Sequence, residues 1–154
     1  ADRRVAIIEI LAKAAAIAGA SGITLLLENE HACLLGTAVE TADVVRAIGS
    51  PWLKMVWDPG NAMMLGERVL PDGYDACKDV AVNIHLKDVT ANADGTLVWA
   101  CIGSGNGEYP VLFQTLKADG YSGSIALETH WKSHDNNPET ASRACLAVTQ
   151  KLAG

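Results

Sequence analysis

The sequence lacks the features that mark nucleic-acid-binding and membrane proteins. It has no cluster of Lys and Arg, and 18 acidic side chains outnumber the 12 basic ones, so the net charge is −6. A nucleic-acid backbone is therefore not expected as a partner, since binding phosphates needs clustered positive charge. No apolar stretch reaches the length of a membrane span, and the Ala-rich segment 12–20 is too short. We expect neither a nucleic-acid nor a membrane partner.

Cysteine is scarce and shows no motif. Cys33, Cys77, Cys101 and Cys145 stand far apart, and no Cys-x-x-Cys occurs. This favours separate thiols in a reducing compartment. The N terminus has no signal-peptide layout, so we expect a cytoplasmic protein. The chain also begins without Met, which fits a trimmed protein or a piece of a longer one.

The sequence does contain four short apolar runs, each ending in a residue of a metal-binding type. They are rich in Val, Ile and Leu and are bounded by Gly, Pro or Asn, which is typical of parallel strands buried on both faces. The runs cover residues 23–28, 53–58, 82–85 and 124–128 and end in Glu28, Asp58, His85 and Glu128. Because α/β proteins keep their chemistry at the carboxyl ends of strands, these four residues are expected to converge.

Segments with helical signals separate the runs. Residues 3–18 repeat apolar side chains at steps of three and four, Thr37 and Glu40 form a capping box, and Asn137-Pro138 is typical of a helix start. An excursion over residues 92–108, with a turn signal at 93–96, predicts an inserted β-hairpin. The order is one helix and then four βα units, which we interpret as one α/β domain over residues 1–154.

Three alternating glycines, Gly103, Gly105 and Gly107, resemble part of a dinucleotide-binding motif. They do not directly follow a long parallel strand, and no acidic residue ends a strand about twenty residues later. We therefore interpret them as a tight loop that leads into a helix.

Three carboxylates and one imidazole favour a site for one divalent metal ion. Such a mainly oxygen donor set suits Mn²⁺, Mg²⁺ or Co²⁺, with Zn²⁺ possible, and does not suit copper or an iron–sulfur cluster. Taken singly, a strand-end Glu is more often a surface charge, and His85 is more often a hydrogen-bonded core residue. Their matching positions in consecutive βα units favour a shared site.

Five motifs resemble the sugar phosphate isomerase/epimerase family, within the xylose isomerase-like TIM barrel superfamily. They are LENEH at 27–31, WDPGN at 57–61, IHLKD at 84–88, GSGNGE at 103–108 and GYSGSIALET at 120–129. The motifs come in the family's order and extend the resemblance over residues 20–132. A complete barrel has eight βα units, so the resemblance implies that four units form the C-terminal half of a TIM (β/α)8 barrel.

The resemblance implies roles for individual residues. Glu28, Asp58, His85 and Glu128 would bind the metal ion, and Glu28 and Glu128 would also act as acid and base through an enediolate held on the metal. His31, Asn61 and Lys87 are candidates for binding substrate hydroxyls or a phosphate, and Trp131 for walling a sugar pocket. Ketose 3-epimerases of the family commonly carry a His where this chain has Asn61, so the sequence departs from that activity there.

The implied function is a metal-dependent isomerase or epimerase of a small sugar or sugar phosphate, in carbohydrate metabolism. The superfamily also includes inositol-derivative dehydratases and DNA repair enzymes of the endonuclease IV type, the latter disfavoured by the acidic charge. A non-catalytic, metal-binding or structural half-barrel is the other alternative. Since a half-barrel leaves two open strand edges, we expect a homodimer that completes the barrel.

Overall fold

The computed structural model describes residues 3–154 as a parallel sheet with helices and one β-hairpin. The helices are α1 (Arg3–Ala20), α2 (Ala38–Ile48), α3 (Pro59–Met64), α4 (Tyr74–Cys77), α5 (Tyr109–Ala118) and α6 (Pro138–Ala153), and a kinked turn at Val69–Gly73 precedes α4. The strands are β1 (Leu25–Glu28), β2 (Leu53–Trp57), β3 (Ala81–Leu86), β4 (Asp88–Ala91), β5 (Leu97–Ala100) and β6 (Ser124–Leu127). Within the described residues no helix is long and apolar enough to cross a membrane.

The four predicted parallel strands are confirmed. The sheet order is β1-β2-β3-β6, and all three neighbouring pairs are parallel. β4 and β5 form a separate antiparallel hairpin, as the sequence predicted, but its first strand begins at Asp88, before the predicted excursion over residues 92–108. Because the strands share one direction, their carboxyl ends lie along a single edge of the sheet.

The hydrophobic core lies between the sheet and the helices. Alternate strand residues such as Met55, Trp57, Ile84 and Leu86 are fully buried there. Side chains from α2, α4, α5 and α6 complete this core: Ala38, Ala42, Val45, Tyr74, Cys77, Leu112, Leu116 and Cys145. This burial of apolar surface holds the sheet in place.

The expectation that every strand is buried on both faces is wrong for the outer strands. Leu26 in β1 is 43% exposed and Ile125 in β6 is 38% exposed, whereas the residues of the central strand β2 are mostly buried. Val82 in β3, which has strand neighbours on both sides, is also 39% exposed, so the exposure is not confined to the outer strands. Helix α1 also exposes apolar side chains, with Ile17 at 72%.

The ends of the helices follow the sequence signals, with one addition. Thr37 and Glu40 form the predicted capping box of α2, and Asn137 caps α6. The structure adds helix α3 directly after Asp58, which the sequence analysis did not predict. Asp58 is the N-cap of α3, because its Oδ1 atom accepts the backbone N–H of Asn61 at 2.8 Å.

The glycine-rich loop after the hairpin is organised by Asp88. This buried carboxylate accepts backbone N–H groups from Gly103 and Gly105 at 2.9 Å each and from Gly107 at 3.0 Å. A Cβ atom at Gly105 would lie 2.4 Å from Asp88 Oδ1, so this position needs glycine. The three glycines thus bring the chain round a carboxylate and into α5, in agreement with the tight loop predicted.

Removing the Asp88 carboxylate should strongly destabilise the protein. We expect Asp88→Ala to lower the free energy of unfolding by about 3 kcal/mol or more, since each unpaired buried amide costs about 1–3 kcal/mol. Urea denaturation measures the change. The matched control is Asp94→Ala at the hairpin tip, where the exposed carboxylate accepts one N–H from Thr96. Equal urea midpoints for the two variants would contradict the role given to Asp88.

Candidate metal centre

The structure brings Glu28, Asp58, His85 and Glu128 together at the carboxyl edge of the sheet. Each offers one ligand atom, and these four atoms all lie within 4.8 Å of one another. Glu28 ends β1, Asp58 follows β2, His85 lies near the end of β3 and Glu128 follows β6. Consecutive parallel strands therefore each supply one member of the cluster.

His85 lies between the two glutamates. Its Nδ1 atom is 3.2 Å from Glu28 Oε1 and 3.4 Å from Glu128 Oε2. The two glutamates belong to the outer strands of the sheet, and both approach the same ring nitrogen of His85. All three side chains are partly exposed, which leaves the centre of the cluster open to a ligand.

Lys87 is a buried cation beside the cluster. Its Nζ atom lies 2.9 Å from Glu128 Oε2 and 3.1 Å from Asp58 Oδ2, and its side chain is 1% exposed. Burial alone would lower the pKa of this ammonium group, but Asp58 and Glu128 raise it above its ordinary value. The same contact holds the pKa of Glu128 below its ordinary value despite partial burial.

Asp58 is the most deeply buried member of the cluster, with 0% of its surface exposed. Burial raises the pKa of its carboxyl group to about 7, although Lys87 and the N–H of Asn61 favour the charged form. One lysine therefore does not fully compensate for the loss of water around this carboxylate. A further positive charge near Asp58 would stabilise its ionised form.

Two buried asparagines fix the backbone under the cluster. Asn29 exchanges two hydrogen bonds with the Asp58 backbone, donating to its carbonyl and accepting its N–H, both at 2.8 Å. Asn61 donates to the Asn29 carbonyl at 2.9 Å. These bonds tie the end of β1 to the end of β2, so the two strand ends hold their ligand-type residues in a fixed relation.

The donor set fits a divalent cation. Three carboxylates and an imidazole match the hard oxygen and nitrogen ligands that such ions prefer. The buried atoms Asp58 Oδ2 and Glu128 Oε2 lack any hydrogen bond, because the Lys87 ammonium reaches ion-pair distance without hydrogen-bond geometry. Buried carboxylate oxygens without hydrogen bonds can accept a further positive charge.

Three aromatic rings lie beside the cluster, two of which the sequence analysis did not select. Trp99, on the hairpin strand β5, meets His31 edge to face at a centroid distance of 5.5 Å and His130 at 5.0 Å. Its ring also lies 5.6 Å from Lys87 Nζ. His130 Nε2 approaches Glu128 Oε1 at 3.3 Å, and His31 Nδ1 approaches Asn61 Oδ1 at 3.0 Å. The placement of Trp99 depends on how the hairpin packs beside the cluster, which the turn signal at residues 93–96 does not specify.

Of the predicted substrate-binding residues, three adjoin the cluster and the fourth packs elsewhere. Asn61 receives a hydrogen bond from Lys87 Nζ at 3.3 Å, and His31 adjoins Asn61. Trp131 is a partly buried residue that packs against the hydrophobic core and lines a separate surface cavity with His130 and Asn137. A larger surface cavity of about 610 Å³, near Ala81 and Gly123, lies at the amino-terminal end of the strands, away from the cluster.

Comparison with known proteins agrees with this architecture. Residues 1–152 match the family model described as xylose isomerase-like TIM barrel. No curated protein matches the sequence.

Solved structures share the fold at low sequence identity. The 3-keto-D-glucoside 4-epimerase YcjR from E. coli matches with a TM-score of 0.74 and 18% identity over 96% of this chain and 53% of its own. The IOLI protein with a binding zinc atom matches with a TM-score of 0.79 and 16% identity, over 97% of this chain and 56% of its own. A xylose isomerase-like TIM barrel protein from Mycobacterium smegmatis in complex with magnesium has a TM-score of 0.73 and 19% identity, over 97% of this chain and 50% of its own. The chain thus spans about half the length of these structures.

The raised pKa of Asp58 predicts how pH affects the stability of the metal-free protein. Between about pH 4, the ordinary aspartate value, and about pH 7, the folded state holds a proton that the unfolded state has lost. The stabilisation from this group is therefore complete below about pH 4 and is lost as the pH rises to about 7. Asp58→Asn abolishes this titration, so its melting temperature relative to wild type should rise from pH 5 to pH 8.

Calorimetry in the presence of a chelator measures that difference. The control is Asp43→Asn, an exposed aspartate on α2 that pairs with Arg46. Its melting temperature relative to wild type should stay constant over the same range. A pH-independent difference for Asp58→Asn would contradict the raised pKa.

Proposed function

Because the chain belongs to the xylose isomerase-like TIM barrel family and contains four of the barrel's βα units, we propose that it is a divalent-metal-dependent isomerase or epimerase of a small sugar or sugar phosphate. The observation that carries the proposal is the convergence of Glu28, Asp58, His85 and Glu128 from four consecutive parallel strands. A cluster of this composition suits chemistry at a carbon next to a carbonyl group.

The four converging side chains would hold one Mn²⁺, Mg²⁺ or Co²⁺ ion, with Zn²⁺ as a further candidate. When bound, such an ion polarises a carbonyl oxygen and stabilises the negative charge that develops on it. Structural relatives described with zinc and with magnesium give the proposal its range of metals. Asp58 would bind in its ionised form, so binding should release a proton below about pH 7.

Glu28 and Glu128 would transfer the protons. They extend from the two outer strands toward His85, so a substrate between them would present one face to each carboxylate. One glutamate would remove the proton from the carbon beside the carbonyl, and the other would return a proton. Return to the opposite face of the same carbon gives epimerisation, and return to the neighbouring carbon gives isomerisation.

The polar and aromatic residues around the cluster would bind the substrate. His31 and Asn61 can bond to hydroxyl groups, and the Trp99 ring offers an apolar surface beside them. Lys87 is engaged by Asp58 and Glu128. Once a bound metal ion neutralises these carboxylates, the Lys87 ammonium group would be available to a hydroxyl or phosphate oxygen of the substrate.

A second copy of the chain would complete the barrel. β1 and β6 are the outer strands of the described sheet, and they run in the same direction. The β6 edge of one copy can therefore pair with the β1 edge of another, and the reverse, to give eight parallel strands. Exposed Leu26 would then be covered. Two sets of three carboxylates would face each other in such a dimer, so it would require bound metal.

The alternative is a half-barrel that binds metal without turnover, as a subunit or piece of a larger barrel. It is favoured by the share of the relatives' length that the chain spans, about half. In either case the four free thiols fit a reducing compartment, and we assign the protein to the cytoplasm.

Isotope exchange separates the enzyme from the binder. An enzyme that is given metal and a panel of ketoses in deuterated water should incorporate deuterium from the solvent at the carbon beside the carbonyl. Glu28→Gln and Glu128→Gln should each lower that rate by about 10²–10⁴-fold, the usual contribution of a general acid or base. Glu139→Gln on α6 is the control and should exchange like wild type. Stoichiometric metal without exchange on any sugar would favour the binder.

Light scattering tests the dimer. We expect twice the chain mass of 16.2 kDa in the presence of metal. Leu26→Glu should return the protein to the monomer mass, because the substitution puts a charge on the β1 strand that pairs in the dimer. In the monomer, Lys54 on the adjacent strand β2 can compensate that charge. Val111→Glu on α5, where the valine is 50% exposed, is the matched control and should stay dimeric. A monomer mass for the metal-loaded wild type would refute the dimer.

A further inference from the structure

We propose that Cys101 and Cys145 form a reversible disulfide that ties the hairpin to helix α6. Their Sγ atoms lie 2.8 Å apart in the thiol form. A disulfide bond is about 2.05 Å long, so a small rotation of the side chains is enough to close it. The other two cysteines are not part of this contact, since Cys33 lies exposed in a loop and Cys77 is buried in α4. The sequence spacing alone had favoured separate thiols.

The positions of the two residues make the bond compatible with the fold. Cys101 directly follows β5, and Cys145 lies in the middle of α6, so both belong to ordered parts of the chain. The adjoining loop already packs on α6, because a Cβ atom at Gly103 would lie 3.4 Å from a methyl carbon of Val148. Cys145 is 1% exposed, which leaves the partly exposed Cys101 as the thiol that an oxidant reaches first.

The oxidant is a low-molecular-weight disulfide, and the reaction is two successive exchanges. The Cys101 thiolate attacks one sulfur of the oxidant, forms a mixed disulfide and releases one small thiol. The Cys145 thiolate then attacks the Cys101 sulfur and releases the second. The protein loses two electrons and two protons, and the oxidant becomes two thiols. Burial raises the pKa of Cys101 to about 12, so the first exchange is slow at neutral pH.

The cross-link would act on the candidate site through the hairpin. It closes a loop over residues 101–145, which contains β6 and Glu128, and it fastens the chain next to Trp99. Closing a loop of this length restricts the unfolded chain, so the oxidised protein should melt several degrees higher than the reduced protein.

The test is oxidation of the folded protein with glutathione disulfide in a Cys33→Ser background, which removes the exposed thiol. We expect loss of two thiols, a mass lower by two hydrogens, and one linked peptide pair containing Cys101 and Cys145. The melting temperature should rise and return on reduction. Adding Cys145→Ser should leave a stable glutathione adduct at Cys101, and adding Cys101→Ser should leave the Cys145 thiol unmodified.

Two results would overturn the proposal. One is that both thiols stay free in folded protein after prolonged oxidation. The other is a persistent glutathione adduct at Cys101 while Cys145 is still present, because that would place Cys145 out of reach. Neither readout needs metal or turnover, so the outcome is independent of the function proposed above.

Discussion

The arrangement of side chains at the carboxyl ends of the strands depends on the charge balance around the buried ammonium group of Lys87. Lys87 is the buried cation that contacts Asp58 and Glu128, and both partners hold it in its charged form. The balance is incomplete, because burial still raises the pKa of Asp58 to about 7. Three carboxylates therefore share one lysine and the imidazoles of His85 and His130. This excess of negative charge would favour the binding of a further cation, as the proposed function requires.

The precision of that cluster comes from polar groups outside it. Asn29 locks the backbone at Asp58, and Asp88 gathers the glycine loop next to Lys87. The Tyr109 hydroxyl, from the first turn of α5, donates to the carbonyl of Lys87. Each of these bonds joins one strand end to a neighbouring loop or helix. The strand ends are therefore positioned by the fold itself, before any ligand contributes.

The repeating part of the fold could be predicted from the sequence, and the contacts between loops could not. Apolar runs and caps are local signals, so they located the four strands, and the residue at the end of each run followed directly. Helix α3 was missed because Asp58 was assigned to a strand, although Asp followed by Pro is itself a helix-start signal. Trp99 on β5 and His130 in the loop after β6 are in contact although they are about thirty residues apart, and no local sequence pattern predicts such a contact.

The parallel arrangement of the outer strands has a consequence for assembly. Two unlike edges that run the same way do not limit how many copies join, since each added copy offers a fresh β6 edge to the next. Whether growth stops at a ring or continues as a filament depends on the coiling of the sheet, because only a sheet that turns through half a circle per chain closes after two. The twist of four short strands is thus what separates a discrete particle from an open polymer.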